Sequence, residues 1–406
     1  PGNAAVVTLD ESLAGIGSLL DQIDQSAINL EAAQQQLAAA PDDASEQQLA
    51  SLEASVNQAQ LTFEQAADRN LLYEVGIDLD ALPADQRAFV DSYLQQEFGS
   101  NDFSLDNSSL AAYQASSDQL RGLVADVRSR LGAYGRAAAP DTQTAEGLGV
   151  SLAFEEGDFR ADIGSTPVGF ERTNLVGGLR WSPSLGRHTR LSLTAERRAV
   201  TDSLLSYAGV KDPASGETWG AVTRSGGEIG LSYDDQTFGS YGSAGLYHYE
   251  GHNVADNRSL VLNAGAYLRP IHEAHRTLQT GVHVNYTGFD DNLSQFTYGH
   301  GGYFSPQDYV SLAFPIVYTE SDNRLTWMAS ISPGFQSYSV DSADIFPTRA
   351  RDQMWLDILA NAGVLTRSRY AAESESGFGL NLGAGLDYRV SRDLNLGTRI
   401  GYDTFG

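Results

Sequence analysis

The sequence predicts a mainly β protein, a transmembrane antiparallel β-barrel preceded by an α-helical segment. Three observations carry this. Composition changes near residue 146, an apolar/polar alternation of period two recurs in about twelve segments after it, and the connections between those segments alternate short and long.

Residues 1–146 hold only 8 of the 41 glycines and 8 aromatic residues, with abundant Ala, Gln, Leu and Asp, which is helix composition. Leu13, Ile16, Leu19, Leu20 and Ile23 recur at helical spacing, and Leu30, Ala33 and Leu37 continue that face. Pro41-Asp42-Asp43 breaks the run. Ser45 offers an N-cap for a second helix reaching about Asn70, and further helices are expected over Ala84–Phe98 and Ser108–Ala133. The segment reads as an acidic helical spacer with an oligomerisation or partner face.

From residue 147 onward the period is two. In Ser259–Arg269, Leu260, Leu262, Ala264, Ala266 and Leu268 share one face, and Asn263, Gly265, Tyr267 and Arg269 the other. Such segments fall near 147–156, 158–165, 171–182, 187–199, 219–233, 237–249, 258–269, 276–288, 308–318, 323–333, 374–389 and 392–403. Connections such as Glu156-Gly157, Asp234–Gln236 and Glu320–Asp322 are short. Val200–Glu217, Glu250–Asn257, Gly288–Gln307 and Gly334–Glu373 are long. Tight turns on one rim and long loops on the other are the outer-membrane pattern. Trp181, Tyr233, Tyr286, Tyr318, Trp327, Tyr388 and Tyr402 end the apolar face at interface depth.

Composition excludes several classes. There is no Cys, hence no disulfide, thiolate metal site or thiol nucleophile. With 52 Asp+Glu against 26 Lys+Arg, net charge is −26, the wrong sign for tracking nucleic-acid phosphates. No run is long and apolar enough for a helical span. A mean hydropathy of −0.28 is what alternating strands average to. His248, His252, His272, His275 and His283 form no metal-ligand motif, no cofactor is implied, and no Ser is placed to complete a triad with His283, so an enzyme is not expected.

If the short turns are periplasmic, the strand at 147–156 runs inward and an outward strand must precede it. Tyr73, Val75, Ile77 and Leu79 are the candidate. By the same bookkeeping the barrel is expected to be incomplete and truncated at its C-terminus.

At this point a resemblance becomes specific. Thr166–Phe170, Asn174–Gly178, Arg197–Gly209, Asp212-Pro213, Trp219-Gly220, Asn253–Asn257 and above all Tyr298-Gly299-His300-Gly301-Gly302-Tyr303-Phe304-Ser305-Pro306-Gln307 resemble, in order, the C-terminal barrel of the cellulose synthase operon protein C family. The resemblance implies a 16-stranded outer-membrane pore exporting cellulose, with periplasmic helices before it and an inner-membrane cellulose synthase feeding it. The implied partners are cellulose or a related glucan, the synthase complex and outer-membrane lipid. The alternatives are export of another exopolysaccharide, a general solute porin, or an adhesin displaying long loops.

A neutral glucan calls for aromatic platforms and short polar groups, because conduction needs weak contacts at many points. Tyr298, Tyr303 and Phe304 offer platforms, with His300 and Gln307 as hydrogen-bonding groups; alternatively Gly299, Gly301, Gly302 and Pro306 fold a capping loop and the rings pack inside it. Arg197 and Arg198 belong either to a lumenal ladder with Glu196 and Asp202 or to the rim as headgroup and loop anchors. Trp219 reads as an interface or loop-packing residue, with a sugar platform as the alternative. Arg180, Arg190, Arg269, Arg389 and Arg399 share the polar face, where Asp387 supplies an opposite charge.

Overall fold

The computed structural model describes residues 2–75, 78–98, 105–137, 143–212, 215–361, 365, 367–391 and 394–404. Its helices are α1 (Gly2–Ala38), α2 (Glu46–Ala67), α3 (Leu71–Glu74), α4 (Ala84–Phe98), α5 (Leu110–Ala137), α6 (Leu204–Ala208) and α7 (Ala350–Asn361). The strands up to the first long interruption are β1 (Ser151–Glu156), β2 (Phe159–Ser165), β3 (Leu175–Trp181), β4 (Thr189–Ala199), β5 (Val210–Lys211), β6 (Thr218–Asp234), β7 (Phe238–His252), β8 (Asn257–His272) and β9 (Arg276–Phe289). The remainder are β10 (Asp308–Ala313), β11 (Ile316–Ser321), β12 (Leu325–Val340), β13 (Ala343–Asp344), β14 (Arg369–Tyr370), β15 (Glu373–Arg389) and β16 (Asn395–Asp403). Two compact units result, one of residues 1–141, 213–215 and 350–368, the other of the rest.

In the first unit the expected face of α1 is the buried one: Ile16, Leu20, Ile23, Ala27 and Leu30 are each at most 6 % exposed. Spacings of four, three, four and three keep one stripe inward. Ser45 caps α2 as read from sequence. Its hydroxyl accepts from the Gln48 backbone N–H while Gln48 Oε1 accepts from the Ser45 backbone N–H, a reciprocal box satisfying two orphan donors. Phe63 meets Tyr113 edge to face, with ring centres 5.1 Å apart. Helix α7, from the connection between β12 and β15, joins this core through Ile358, and Trp355 packs on Phe89. The outward strand expected over Tyr73–Leu79 is not there. Leu71–Glu74 is a helical turn capped by the Asn70 side chain, and Leu79–Ala81 is a 3₁₀ turn started by Asp78; positions 76 and 77 lie outside the described residues. Local side-chain caps win over a four-residue alternation too short to fix a strand.

The second unit is a 14-stranded antiparallel sheet in the order β1-β2-β3-β4-β6-β7-β8-β9-β10-β12-β15-β16, with β11 and β5 off the path. β1 and β16 are the ends of that path among the described residues. All twelve segments read from the alternation are strands. The segment at 308–318 is divided into β10 and β11, both of which pair with β9 and β12. The division falls at Phe314-Pro315, where proline has no N–H to give the ladder. Pro270 lies at the register shift between Leu268 and Ile271 on β8, and Pro333 sits within β12 opposite Leu380.

Alternation gives the sheet two faces. Leu152, Ile163, Leu179, Ile229, Leu231, Leu246, Phe335 and Ile400 project to one side and are all more than 36 % exposed, a row of apolar surface no protein core covers. A protein surrounded by water would bury it, at about 25 cal/mol per Å². Along β7 and β8 this apolar stretch covers about eight residues, roughly 20 Å once the strands are tilted, close to the band of an outer-membrane barrel. Trp181, Tyr233, Phe238, Tyr318, Trp327 and Tyr388 lie within a few residues of the short connections and belt that edge. The connection expected to be long over Glu250–Asn257 is only 253–256, because β7 and β8 each extend further; β12 likewise runs on to Val340.

Candidate functional site

The polar face carries a continuous set of paired charges and hydroxyls. Register places Asp162, Gly178, Glu196 and Gly226 in one row across β2, β3, β4 and β6. Arg198 Nη2 lies 2.8 Å from Asp162 Oδ1, a pairing completed through Nη1, and Arg198 Nε reaches Glu196 at 3.3 Å. Arg224 holds the other Glu196 oxygen at 3.1 Å, with its guanidinium 5.0 Å above the Tyr247 ring. Nearer the short connections, Arg269 grips both oxygens of Asp234 at 2.8 and 2.9 Å, and Tyr267 donates to the same carboxylate at 2.8 Å. Further round, Tyr241 O–H meets His283 Nδ1 at 2.7 Å, Asn285 donates to Asn263, and Tyr309 to Gln336. A cavity of about 480 Å³ opens on this face among Arg160, Arg180, Arg190, Ser192 and Tyr241.

At the opposite end of the strands the long connections fold over a core of their own: Val200, Leu205, Trp219, Val222, Tyr249, Phe289, Leu293, Tyr298 and Tyr303. Ser203 caps α6, which lies against the start of β6. There Gly220 takes φ +101 and Ala221 φ +51 as the register slips. A Cβ on Gly220 would sit 2.3 Å from the Leu205 carbonyl oxygen, so only glycine permits this approach. Asn257, 2 % exposed, clamps the next loop by donating to the Asp291 carbonyl and accepting from its N–H. Gly301 and Gly302 both donate to the Leu293 carbonyl, and Ser305 Oγ accepts from the Leu293 N–H at 2.7 Å.

The sequence-derived site residues divide into distinct environments. Tyr298, His300 and Tyr303 are buried. Tyr303 stacks on Tyr249 at 5.2 Å, and Tyr298 packs on Trp219 while donating to Glu217 at 2.7 Å under the Arg349 guanidinium. These hydrogen bonds hold the Glu217 carboxyl below its ordinary range. His300 is fully enclosed. Its Nε2–H donates to the Asp344 carbonyl at 2.8 Å and its Nδ1 has no partner, so burial lowers its pKa to about 4. Desolvation likewise raises Tyr303. Phe304 keeps its ring exposed, while its N–H donates to Asp202. Gln307 Oε1 accepts from the Asp341 N–H, tying two long connections together.

Arg197 and Arg198 part company. Arg198 is in the polar ladder, whereas Arg197 points to the apolar side, where it reaches Ser225 Oγ at 3.0 Å and Glu250 at 3.4 Å. Asp202 pairs with neither; it anchors the Phe304 loop. Sequence reasoning passed over Asp162, Arg224, Tyr241, Tyr247, Tyr249 and Asn257. The alternation that exposed the apolar face also puts the three β7 tyrosines on the opposite, polar face, since positions 241, 247 and 249 alternate with Leu246.

The family described as "Cellulose synthase operon protein C C-terminus" matches residues 56–406. Among similar proteins, cellulose synthase operon protein C of Xanthomonas axonopodis pv. citri is 36 % identical over 303 residues, 72 % of this chain and 20 % of that one. Its namesake in Pseudomonas fluorescens is 37 % identical over 283 residues, 69 % and 21 % respectively. The chain thus spans about a fifth of the length of these relatives. Among solved structures, a "Bacterial polysaccharide outer membrane secretin" aligns with a TM-score of 0.40 and 9 % identity over 63 % of this chain and 71 % of its own. With the family match over most of its length and relatives above one-third identity, the chain belongs to the cellulose synthase operon protein C family.

Proposed function

We propose that this chain forms the wall and cap of an outer-membrane conduit through which a β-1,4-glucan leaves the cell, supplied by an inner-membrane cellulose synthase. The observation that carries the reading is the two-faced sheet. Its uncovered apolar side fits lipid, while its other side offers tyrosine rings and hydroxyls, asparagines and the charge pairs of Arg198, Arg224 and Arg269 with Asp162, Glu196 and Asp234. Such a wall gives a neutral polymer many weak contacts and no deep electrostatic trap. Charges paired within the wall also keep their desolvation cost low.

In this reading the rings at 298 and 303 build the cap, and Phe304 is the ring left to meet polymer. A restrictive cap also separates a polymer exporter from a general solute porin, whose conductance is open and steady. Disrupting the gene in its host and locating β-1,4-glucan tests the proposal. Polymer trapped in the periplasm, with secretion restored by the intact gene, is the expected result; polymer at ordinary levels outside the disrupted cells would end it.

A further inference from the structure

The core of the helical unit is drawn from two distant parts of the chain. Ile358 of α7, 2 % exposed, shares it with Ile16 and Leu20 of α1, Phe63 of α2 and Tyr113 of α5. Trp355 meets Phe89 of α4 edge to face with ring centres 5.4 Å apart, and Asn361 Nδ2 donates to Gln86 Oε1 at 2.9 Å. A helix whose apolar residue is enclosed in this way belongs to the fold of the unit that encloses it.

Connectivity fixes the end of the sheet from which α7 comes. Val340, the last residue of β12, pairs with Glu373, the first of β15, so the connection carrying α7 leaves and re-enters the sheet at the end away from the tight turns. That connection is fastened there up to the helix itself. The Asp341 N–H donates to Gln307, and Thr297 Oγ1 donates to the Ile345 carbonyl at 2.7 Å. The Arg349 guanidinium lies 3.5 Å from the centre of the Tyr298 ring and donates to Glu217 at 2.9 Å. Helix α7 begins at the next residue, Ala350.

The chain entering β1 leads to the same end. Glu156 pairs with Phe159 across a short turn, which puts Ser151 at the far end of the strand. Before it, Gln143 exchanges two hydrogen bonds with the Lys211 backbone, at 3.0 and 3.1 Å, in the long connection between β4 and β6. Between Gly2 and Ala137 none of the described residues is in a strand, and no described helix is long and apolar enough to cross a membrane. Only helices and closed barrels satisfy their backbone inside a bilayer, so nothing described there carries the core around Ile358 to the side of the tight turns.

We infer that the helical unit stands outside the cell, on the side where the polymer emerges, with its partner face out of reach of an inner-membrane synthase. The resemblance implied periplasmic helices; those of this chain enclose a segment of a long connection and are assigned to the other side. The inference rests on the membrane reading of the sheet, in which tight turns are periplasmic and long connections external, and not on which polymer passes.

Thiol labelling in the outer membrane of the host tests it, since the chain has no Cys and every signal reports an introduced one. Four exposed positions serve: Gln34→Cys on α1, Asn57→Cys on α2, Ser342→Cys in the connection before α7, and Asn323→Cys in a short connection. The probe is a polyethylene-glycol maleimide too bulky to pass porins, added to intact cells and to cells with a permeabilised outer membrane. Gln34→Cys, Asn57→Cys and Ser342→Cys should give the full mass shift in intact cells, and Asn323→Cys only after permeabilisation. Protection of both helical positions in intact cells while Ser342→Cys labels would overturn the inference and leave the orientation of the sheet standing. Labelling of Asn323→Cys with protection of Ser342→Cys would overturn it through that orientation, and labelling of all four in intact cells would overturn the membrane reading with it. Glucan secretion by the same cells is a separate readout, so failure of the export reading is told apart from failure of this one.

Discussion

Acid should loosen the cap through His300. At neutral pH the imidazole is uncharged, with Nε2–H spent on the Asp344 carbonyl 2.8 Å away and Nδ1 facing no donor or acceptor. The edge of Tyr370 packs on the ring, and Arg369 already occupies the Asp344 carboxylate at 2.7 Å, so no free anion is at hand to greet an imidazolium. Burial lowers the folded pKa to about 4 from 6.5. The unfolded or opened segment therefore binds more protons than the closed one between these values, and stability rises with pH across that window. The contribution is fully present above about pH 6.5 and lost as pH falls toward 4. The loss amounts to about 2 kcal/mol at pH 5 and about 3 kcal/mol below pH 4. Hydrogen exchange at the Gly301 and Gly302 amides, both bonded to the Leu293 carbonyl, reports the closed state. After correction for intrinsic rates, protection at pH 5 should be about 30-fold below that at pH 7.5. In His300→Gln, whose amide retains a donor for Asp344, protection should not change between these pH values. An unchanged wild type, or an equal fall in the variant, refutes the reasoning.

Gly220→Ala should destabilise the cap by at least about 2 kcal/mol, because it combines a positive φ with a 2.3 Å approach to the Leu205 carbonyl; thermal melting in detergent measures this. Arg198→Gln leaves Asp162 and Glu196 each short of a cation. Its stability cost should stay near or below 1 kcal/mol, since the side chains are partly exposed, while the reversal potential in planar bilayers should shift toward cation selectivity. Ile358→Ala should cost about 3 kcal/mol in the helical unit, where Ile358 is 2 % exposed, and show as earlier loss of the 222 nm helical signal with the β signal intact.

The fold was legible where a repeated period had room to speak. All twelve alternating runs fell on strands, one of them divided into β10 and β11, and the Ile16 to Leu30 stripe yielded a buried helix face. Tyr73–Leu79 misled because four alternating residues carry little weight against Asn70 and Asp78, whose side chains close turns within two or three residues. The Tyr298–Gln307 run was visible as a unit, yet its sequence could not say which rings face in. That depends on partners distant along the chain: Tyr249 for Tyr303, Trp219 and Arg349 for Tyr298, Asp344 for His300. Arg197 and Arg198 are adjacent letters, and strand parity alone sends them to opposite faces.

Pro270 lies on β8, Pro315 in the break between β10 and β11, and Pro333 on β12, with β9 separating the first from the other two; the Pro315 carbonyl accepts from Gly281 and the Pro333 carbonyl from Phe314. Each withholds an amide hydrogen from its ladder, so the three together draw an oblique line of weakened cross-linking through otherwise regular sheet. Along that line the sheet has the fewest ladder bonds to break, so in the proposed conduit any widening would be taken up there first.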